Sequence, residues 1–129
     1  MKRRGVLNAP LSAHLAELGH TDLVVVGDAG LPRPAGVPVV DLALVLGVPS
    51  FADVVLALAD ELVVEQATLA EEARTANPDA VDLVRSLFGE PEWTTHEALK
   101  ALSGSARLVV RTGEATPFAN VVLRCGVAF

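Results

Sequence analysis

Short runs of mainly aliphatic residues are the feature that most constrains how this chain can fold. Such runs lie at Leu23–Val26, Val39–Val45, Leu108–Val110 and Val121–Val127. They show little of the apolar–polar alternation of a strand with one exposed face, and they are typical of strands buried on both faces. A sheet that is buried on both faces needs helices on each side, so helices should occupy the segments between the runs.

A first helix is predicted before the earliest of these runs. Asn8 can cap it, and Leu11, Leu15 and Leu18 recur at the spacing of one helix face. Gly19 follows at the position where a left-handed residue commonly ends a helix. The chain is therefore expected to begin with a helix that packs its apolar face against the sheet.

Three further helices are predicted from residues that favour helix ends. Ser50 can cap the second helix, and Pro78 suits the first turn of the third, which Gly89 would stop. Thr94 and Glu97 match a capping box for the fourth, with Thr94 as the N-cap. Strands and helices then alternate, which predicts a three-layer α/β sandwich with a largely parallel sheet.

The segment Leu62–Ala76 fits two kinds of structure. Its Ala, Glu, Gln and Leu content favours a helix. Its first residues, Leu62–Val64, fit the beginning of a strand equally well. Propensity taken alone predicts a helix here.

The composition predicts one domain, spanning residues 1–129, with an aliphatic core. At 129 residues, two independent cores would each be marginal. Hydrophobic residues make up 51% of the chain, which is enough to bury a core, but there are only four Phe, one Trp and no Tyr. The core must therefore consist mainly of Val, Leu and Ala.

Charge and aromatic content argue against a nucleic-acid partner. Ten Lys and Arg against sixteen Asp and Glu give a net charge of −6, whereas binding to phosphates needs a basic surface. The scarcity of aromatic residues also leaves few rings on which bases can stack. We therefore expect no nucleic acid among the partners of this chain.

Cysteine content and hydropathy predict a cytoplasmic protein. Cys125 is the only cysteine, so no internal disulfide can form, as is usual in a reducing compartment. Polar residues and Pro10 interrupt the segment after the basic residues 2–4, which therefore does not fit a signal peptide. The longest stretches without a polar side chain, such as Leu42–Pro49, are far shorter than the ~18 residues of a membrane span. We expect no association with a membrane.

Common cofactor and metal motifs are absent from the sequence. There is no Gly-rich dinucleotide or Walker A loop, no H-E-x-x-H, no C-x-x-C and no G-x-S-x-G. The three histidines lack metal-ligand spacing, and Cys125 lies in an apolar run that favours a core position. We expect neither cofactor nor metal, which leaves acid–base chemistry by His and Asp on a small polar molecule.

Asp28 and His20 flank the predicted strand Leu23–Val26, and each has two interpretations. Asp28 lies just past the carboxyl end of the strand, where open α/β sheets bind ligands, but it also fits an Asx-turn that closes the loop to Gly30. His20 precedes the strand and suits either an acid–base catalyst or a partner of the helix C-terminus.

Two polar residues later in the chain are also open to two interpretations. His96 is predicted at the second position of its helix, where its imidazole can bond a sugar hydroxyl or simply face solvent. Asn120 ends the loop 112–120, and its amide can both donate and accept hydrogen bonds, as polyol recognition requires, or serve only the turn. His14 is interpreted as a surface residue.

Eight short motifs follow one another along the chain: Gly5–Asn8, Leu18–Asp22, Asp28–Pro32, Gly47–Phe51, Thr94–Glu97, Thr112–Glu114, Pro117–Val122 and Cys125–Phe129. Each is weak by itself. In this order and spacing, they resemble the D-ribose pyranase family, within the superfamily that also holds fucose mutarotases, almost from end to end.

The resemblance implies a cytoplasmic sugar isomerase that interconverts the pyranose and furanose forms of ribose without a cofactor. It implies a Rossmann-like α/β/α sandwich with one antiparallel strand, and a strand across much of Leu62–Glu72. It also implies a homodecamer of two stacked pentameric rings, with sites between neighbouring subunits.

The same resemblance assigns roles to individual residues. His20 corresponds to the family's catalytic proton donor. The remaining matches fall on substrate-binding positions: Asp28, His96, Phe118, Ala119 and Asn120.

The implied reaction sets a constraint on distance. Exchange between ring sizes opens the hemiacetal and closes it with a different hydroxyl, so protons must reach and leave sugar oxygens, and an imidazole can do either at neutral pH. Asp28 comes eight positions after His20, which is up to about 26 Å of extended chain. Either the chain bends back at Gly19 and Gly27, or the site takes residues from two subunits.

The chain departs from the family pattern at Phe118, where a Tyr is usual. A lost phenolic hydroxyl removes one hydrogen bond to the sugar, which is worth roughly 0.5–1.5 kcal/mol. Weaker ribose binding, another sugar, or a hydroxyl supplied by Thr116 or water would each be compatible with this change. A mutarotase for fucose or another sugar and a non-catalytic sugar-binding subunit are the alternative functions.

Overall fold

A six-stranded sheet forms the centre of the protein in the computed structural model, which describes residues 1–129. The strands are β1 (Leu23–Gly27), β2 (Val39–Asp41), β3 (Val64–Ala70), β4 (Glu92–Thr94), β5 (Leu108–Arg111) and β6 (Val121–Cys125). The helices are α1 (Ala9–Ala16), α2 (Phe51–Glu61), α3 (Ala73–Ala76), α4 (Pro78–Phe88) and α5 (His96–Ser103). The predicted α/β class is confirmed.

The strand order across the sheet is β2-β5-β1-β6-β3-β4. Strand β6 is antiparallel to both of its neighbours, β1 and β3, whereas all other neighbouring pairs are parallel. The expected single antiparallel strand is therefore β6. Its insertion brings the start of β6 beside the end of β1, with Val121 paired to Val26.

Helices cover both faces of the sheet, as the three-layer prediction requires. Successive side chains of a strand point to opposite faces, so Val24 and Val26 lie in the large core beneath α1, α2 and α4, while Val25 lies in a smaller core beneath α5. All three valines are fully buried. The prediction of an aliphatic core is confirmed.

Three helices begin at caps that the sequence favours. Asn8 Oδ1 accepts a hydrogen bond from the N–H of Leu11, and Ser50 and Asp53 form a reciprocal capping box. Asn77 caps α4 in the same way, and its side chain also holds a neighbouring loop.

The helix predicted from propensity within Leu62–Ala76 is wrong for most of the segment. Residues 64–70 form β3, as the family resemblance implied, and only Ala73–Ala76 is helical. Pairing with β6 and β4 and burial of Ala67 and Leu69 outweigh the small intrinsic preference for helix.

Two predicted strands are shorter than expected. Strand β2 ends at Asp41, after which residues 42–48 form a loop closed by a bridge between Val45 and Val48. Strand β6 ends at Cys125 rather than Val127. In both cases the apolar run continues beyond the last residue that has a partner strand.

Two predicted helix ends are also wrong. Helix α1 ends at Ala16, and the left-handed residue that follows it is Thr21 (φ 70°) rather than Gly19. Helix α5 is capped by Thr95, whose hydroxyl accepts from the Ala98 N–H, because Thr94 belongs to strand β4. His96 is therefore the first residue of α5, not the second.

None of the five helices combines the length and the apolar character needed to cross a membrane.

Candidate active site

A cavity of about 490 Å³ opens at the carboxyl ends of β1 and β5. Its volume lies within the range of about 300–1,000 Å³ that is usual for small-molecule sites. The residues that line it are Asp28, Ala29, Gly30, Leu31, Leu46, His96, Glu114, Ala115, Pro117 and Phe118. The position agrees with the expectation that ligands bind beyond the carboxyl ends of the strands.

The Asp28 carboxylate is held in place from behind the cavity by Asn120. Asn120 Nδ2 donates to Asp28 Oδ2 over 2.9 Å, and the Asp28 N–H donates to Asn120 Oδ1 over 2.9 Å. The other carboxylate oxygen accepts from the Gly30 N–H, so the predicted Asx-turn is also present. A carboxylate has about four acceptor positions, and two remain for hydroxyls of a ligand.

Glu114 organises the loop that closes one side of the cavity. Partial burial by itself would raise the pKa of the Glu114 carboxyl, but hydrogen bonds from the N–H of Phe51, from the N–H and hydroxyl of Thr116 and from the N–H of Ala115 lower it below its usual value. The contact with Phe51 satisfies an N–H in the first turn of α2. Glu114 therefore holds the cavity loop against a helix terminus.

His96 and Phe118 meet in the cavity edge to face. Their ring centroids are 5.1 Å apart and their planes are nearly perpendicular, at 88°. The His96 N–H donates to both carboxylate oxygens of Glu72, which fixes the start of α5. Its Nδ1 is buried without a hydrogen-bond partner. Because an unpaired N–H is rarer than an unpaired acceptor in protein interiors, we place the ring proton on Nε2, which can then donate to a ligand oxygen.

Phe118 has a left-handed backbone (φ 59°), which is uncommon for a bulky residue. Asn77 supports the turn, since its amide donates to the Pro117 carbonyl and the Thr116 hydroxyl, 3.0 Å each. The Thr116 hydroxyl in turn donates to Glu114. Thr116 is thus already engaged and does not line the cavity, so it does not replace a phenolic hydroxyl at position 118.

His20 lies at the other end of β1 from Asp28, just before the first residue of the strand. It precedes β1, whereas Asp28 follows it, and a strand of five residues is about 17 Å long. The His20 side chain is 52% exposed, and its Nε2 lies 3.0 Å from Glu65 Oε2. It faces a second cavity of about 460 Å³, formed with Leu62, Val127 and Phe129 among others. The chain therefore does not bend back to bring His20 to Asp28.

Residues 1–128 match the RbsD / FucU transport protein family. The chain belongs to this family. A D-ribose pyranase of Streptomyces avermitilis is 59% identical over 129 residues, and one of Exiguobacterium sibiricum is 54% identical over 129 residues. In both comparisons the match covers 100% of each chain.

Solved structures of the RbsD / FucU family share the fold. Bacillus subtilis RbsD complexed with D-ribose superposes with a TM-score of 0.95 at 45% identity, over 100% of both chains. The fucose mutarotase of Streptococcus pneumoniae, in complex with L-fucose, gives a TM-score of 0.79 at 18% identity, over 95% of both chains. At that identity the second comparison shows the fold alone.

In this RbsD / FucU family member, the candidate residues fall into three groups. Asp28, His96 and Phe118 line one cavity. Asn120 and Ala119, both about 1% exposed, lie behind it and do not line it. His20 is remote from both groups within one chain.

Three features of this region were not predicted from the sequence: Glu65, Leu46 and the structural role of Glu114. The loop position of Glu114 between two strands was a usable signal, whereas nothing local in the sequence marks Glu65 or Leu46.

Cys125 is buried, and burial together with the negative charges of Asp22 and Glu65 raises the pKa of its thiol. The prediction that Cys125 belongs to the core is confirmed.

Proposed function

We propose that the protein is a D-ribose pyranase, an isomerase that interconverts the pyranose and furanose forms of ribose. Full-length identity of 54–59% to proteins of that name supports the substrate and the reaction. The observation that carries the proposal is the cavity at the carboxyl edge of the sheet, where Asp28, His96 and Phe118 converge. The proposal treats residues 1–129 as a single pyranase domain acting in the cytoplasm.

The cavity supplies groups suited to a polyol. Asp28 accepts hydrogen bonds from sugar hydroxyls with the acceptor positions that Asn120 and Gly30 leave free. His96 Nε2 donates to a sugar oxygen, and the Phe118 ring provides an apolar surface for the C–H groups of the sugar. These residues bind and orient the substrate, and ring opening requires in addition a group that exchanges protons.

His20 is the proposed proton donor, and it reaches the sugar from a neighbouring subunit. Within one chain it is separated from Asp28 by the length of β1. In an assembly where His20 of one copy lies against the Asp28 cavity of a second copy, the two residues can reach the same sugar. Head-to-tail contacts of this kind form a ring when the rotation between copies closes, and the proposed assembly is a homodecamer of two stacked pentamers.

Exposed apolar side chains lie beside both halves of the proposed site. Leu44 and Leu46 are each 78% exposed, and Leu46 lines the Asp28 cavity. Val127 and Phe129 are exposed beside His20. Burial of such side chains stabilises an interface, so both edges are suited to contact another copy.

Ring interconversion follows from these positions. His20 takes the proton of the anomeric hydroxyl and delivers a proton to the ring oxygen, which opens the hemiacetal to the aldehyde. Rotation and attack by a different hydroxyl then close the other ring. A positioned acid or base contributes about 10²–10⁴-fold to such a step. No redox change or external reactant is needed.

Saturation-transfer NMR on ribose tests the function directly. The protein should accelerate pyranose–furanose exchange, and His20→Ala should slow the catalysed exchange by about 10²–10⁴-fold. His14→Ala is the matched control, because His14 pairs with Glu17 on α1 and lines neither cavity. Acceleration with fucose but not ribose would favour the mutarotase alternative. Ribose binding by calorimetry without any exchange would favour a non-catalytic sugar-binding subunit.

A further inference from the structure

The Glu65 carboxylate lies between His20 and Arg124. Its Oε2 is 3.0 Å from His20 Nε2, and its Oε1 forms an ion pair with Arg124, 2.9 Å from Nε. The three residues come from different elements: the loop before β1, strand β3 and strand β6. We infer that Glu65 is a positioning residue that fixes the orientation and tautomer of His20 and leaves Nδ1 as the nitrogen that exchanges protons with the sugar. This inference rests on the proposed function of His20.

A β-bulge places Glu65 in this position. Strand β3 pairs Val64 with Cys125 and Gln66 with Arg124, so Glu65 is the extra residue between two consecutive partners. A bulge redirects a side chain relative to a regular strand, and bulges are enriched next to active sites. Here the bulge lies beside His20, at the end of β1 where that strand begins.

A glycine directly after the facing strand β6 makes room for the bulge. A Cβ at Gly126 would lie 3.1 Å from Val63 Cγ1 and 3.4 Å from Glu65 Cβ. The Gly126 N–H also donates to the Val63 carbonyl over 2.8 Å. A side chain at position 126 would therefore crowd Val63 and the bulge at Glu65.

The backbone beside His20 is held as firmly as its ring. Thr21 has a left-handed conformation (φ 70°), which non-glycine residues seldom adopt, and its N–H donates to the Cys125 carbonyl over 2.8 Å. Strained backbone of this kind persists only where the surroundings enforce it, and it is concentrated at functional sites. Strands β3 and β6 thus fix both the main chain and the side chain around His20.

The contact with Glu65 determines which imidazole nitrogen carries the proton. A carboxylate can only accept, so the neutral ring places its proton on Nε2 and its lone pair on Nδ1. Nδ1 can then take a proton from the sugar and return it. The carboxylate stabilises the imidazolium that forms in between, as in other orienter–histidine pairs.

Substitution of Glu65 by Gln should reverse this arrangement. Arg124 requires an acceptor, so the amide oxygen of Glu65→Gln should face Arg124 and its NH₂ should face His20. The Nε2 of His20 then becomes the acceptor, and the proton moves to Nδ1. We expect ¹⁵N NMR of the neutral imidazole to show the Nε2–H tautomer in the unmodified protein and the Nδ1–H tautomer in Glu65→Gln. We expect exchange at saturating ribose to slow by about 10- to 100-fold with little change in KM.

Two further variants separate this role from a structural one. Glu90→Gln breaks a comparable carboxylate–arginine contact, with Arg85 at 2.8 Å, and should leave both the tautomer and the exchange rate unchanged. Glu65→Asp keeps the charge and should retain the Nε2–H tautomer and more of the rate than Glu65→Gln.

An unchanged His20 tautomer in Glu65→Gln, an unchanged rate, or equal rate losses in Glu65→Gln and Glu65→Asp would overturn the inference. If the unmodified protein fails to accelerate ribose exchange, the proposed function is wrong. The tautomer measurement would still report whether Glu65 controls His20.

Discussion

Asp28 and Asn120 face each other across two neighbouring strands and exchange a hydrogen bond in each direction. The contact exists because β6 runs antiparallel to β1, so the residue before the first residue of β6 meets the residue after the last of β1. Asn120 is buried, and its amide has matched donor and acceptor positions for Asp28. The carboxylate is therefore in position before a sugar binds.

Asn120→Asp should damage both stability and binding. The substitution keeps the shape of the side chain but replaces the Nδ2 donor by an oxygen that faces the Asp28 carboxylate. Loss of a buried hydrogen bond, with two acceptors left opposed, should destabilise the fold by about 1–3 kcal/mol and weaken ribose binding. Denaturant unfolding and calorimetry at neutral pH measure the two effects.

The same substitution at Asn8 provides the control. Asn8 caps α1 at an exposed position, and Asp is an equally good N-cap. Asn8→Asp should therefore leave stability within about 0.5 kcal/mol of the unmodified protein. If Asn120→Asp is as well tolerated as Asn8→Asp, the Asp28–Asn120 contact does not position the carboxylate.

Phe118→Tyr should strengthen ribose binding. The ring lines the cavity beside His96, and the Thr116 hydroxyl is already bonded to Glu114 and Asn77. A restored phenolic hydroxyl should contribute roughly 0.5–1.5 kcal/mol, which is about a 2- to 12-fold lower Kd. Phe88→Tyr, at the end of α4, should leave the Kd unchanged. Equal or weaker binding by Phe118→Tyr would show that the cavity does not use a hydroxyl there.

Glu114 should make stability depend on pH in acid. Its pKa in the folded protein is lower than in the unfolded chain, so its contribution is fully present above the unfolded value of about 4.3 and is lost as the pH falls through the folded value. Glu114→Gln should lower Tm at pH 7 by about 3–6 °C, which is roughly 1 kcal/mol for a domain of this size. The difference from the unmodified protein should shrink as the pH is lowered below 4.3. A constant difference between pH 7 and pH 3 would argue against this role.

The fold could be predicted where sequence pattern and tertiary environment agree. The aliphatic run at Leu23–Val26 and the caps at Asn8 and Ser50 led to correct elements. Strand β3 could not be derived from propensity, because its Ala and Glu content favours a helix and only pairing with β6 and β4 makes it a strand. Thr94 and Thr95 both suit an N-cap, and the pairing of β4 with β3 decides between them.

The site could be predicted only in part, for a related reason. Asp28 follows a buried strand, so its place at the carboxyl edge was accessible from the sequence. That Asn120 supports Asp28 depends on the antiparallel direction of β6, which no local pattern encodes. The contact of Glu65 with His20 depends on a one-residue shift in register between β3 and β6. The separation of His20 from Asp28 results from β1, which runs without a break between them.

In the proposed site, His20 of one subunit acts on a sugar held by Asp28 of another. His20→Ala and Asp28→Asn should each be almost inactive alone while retaining the assembly size of the unmodified protein in size-exclusion chromatography. Co-expression of the two variants forms mixed rings in which some interfaces join an intact His20 to an intact Asp28. With equal amounts and random assembly, about a quarter of the sites combine both residues.

Saturation-transfer NMR on ribose with these mixed assemblies is the most direct test. Exchange should recover to about a quarter of the rate of the unmodified protein. Mixed assemblies as inactive as the two separate variants would contradict a site shared between subunits.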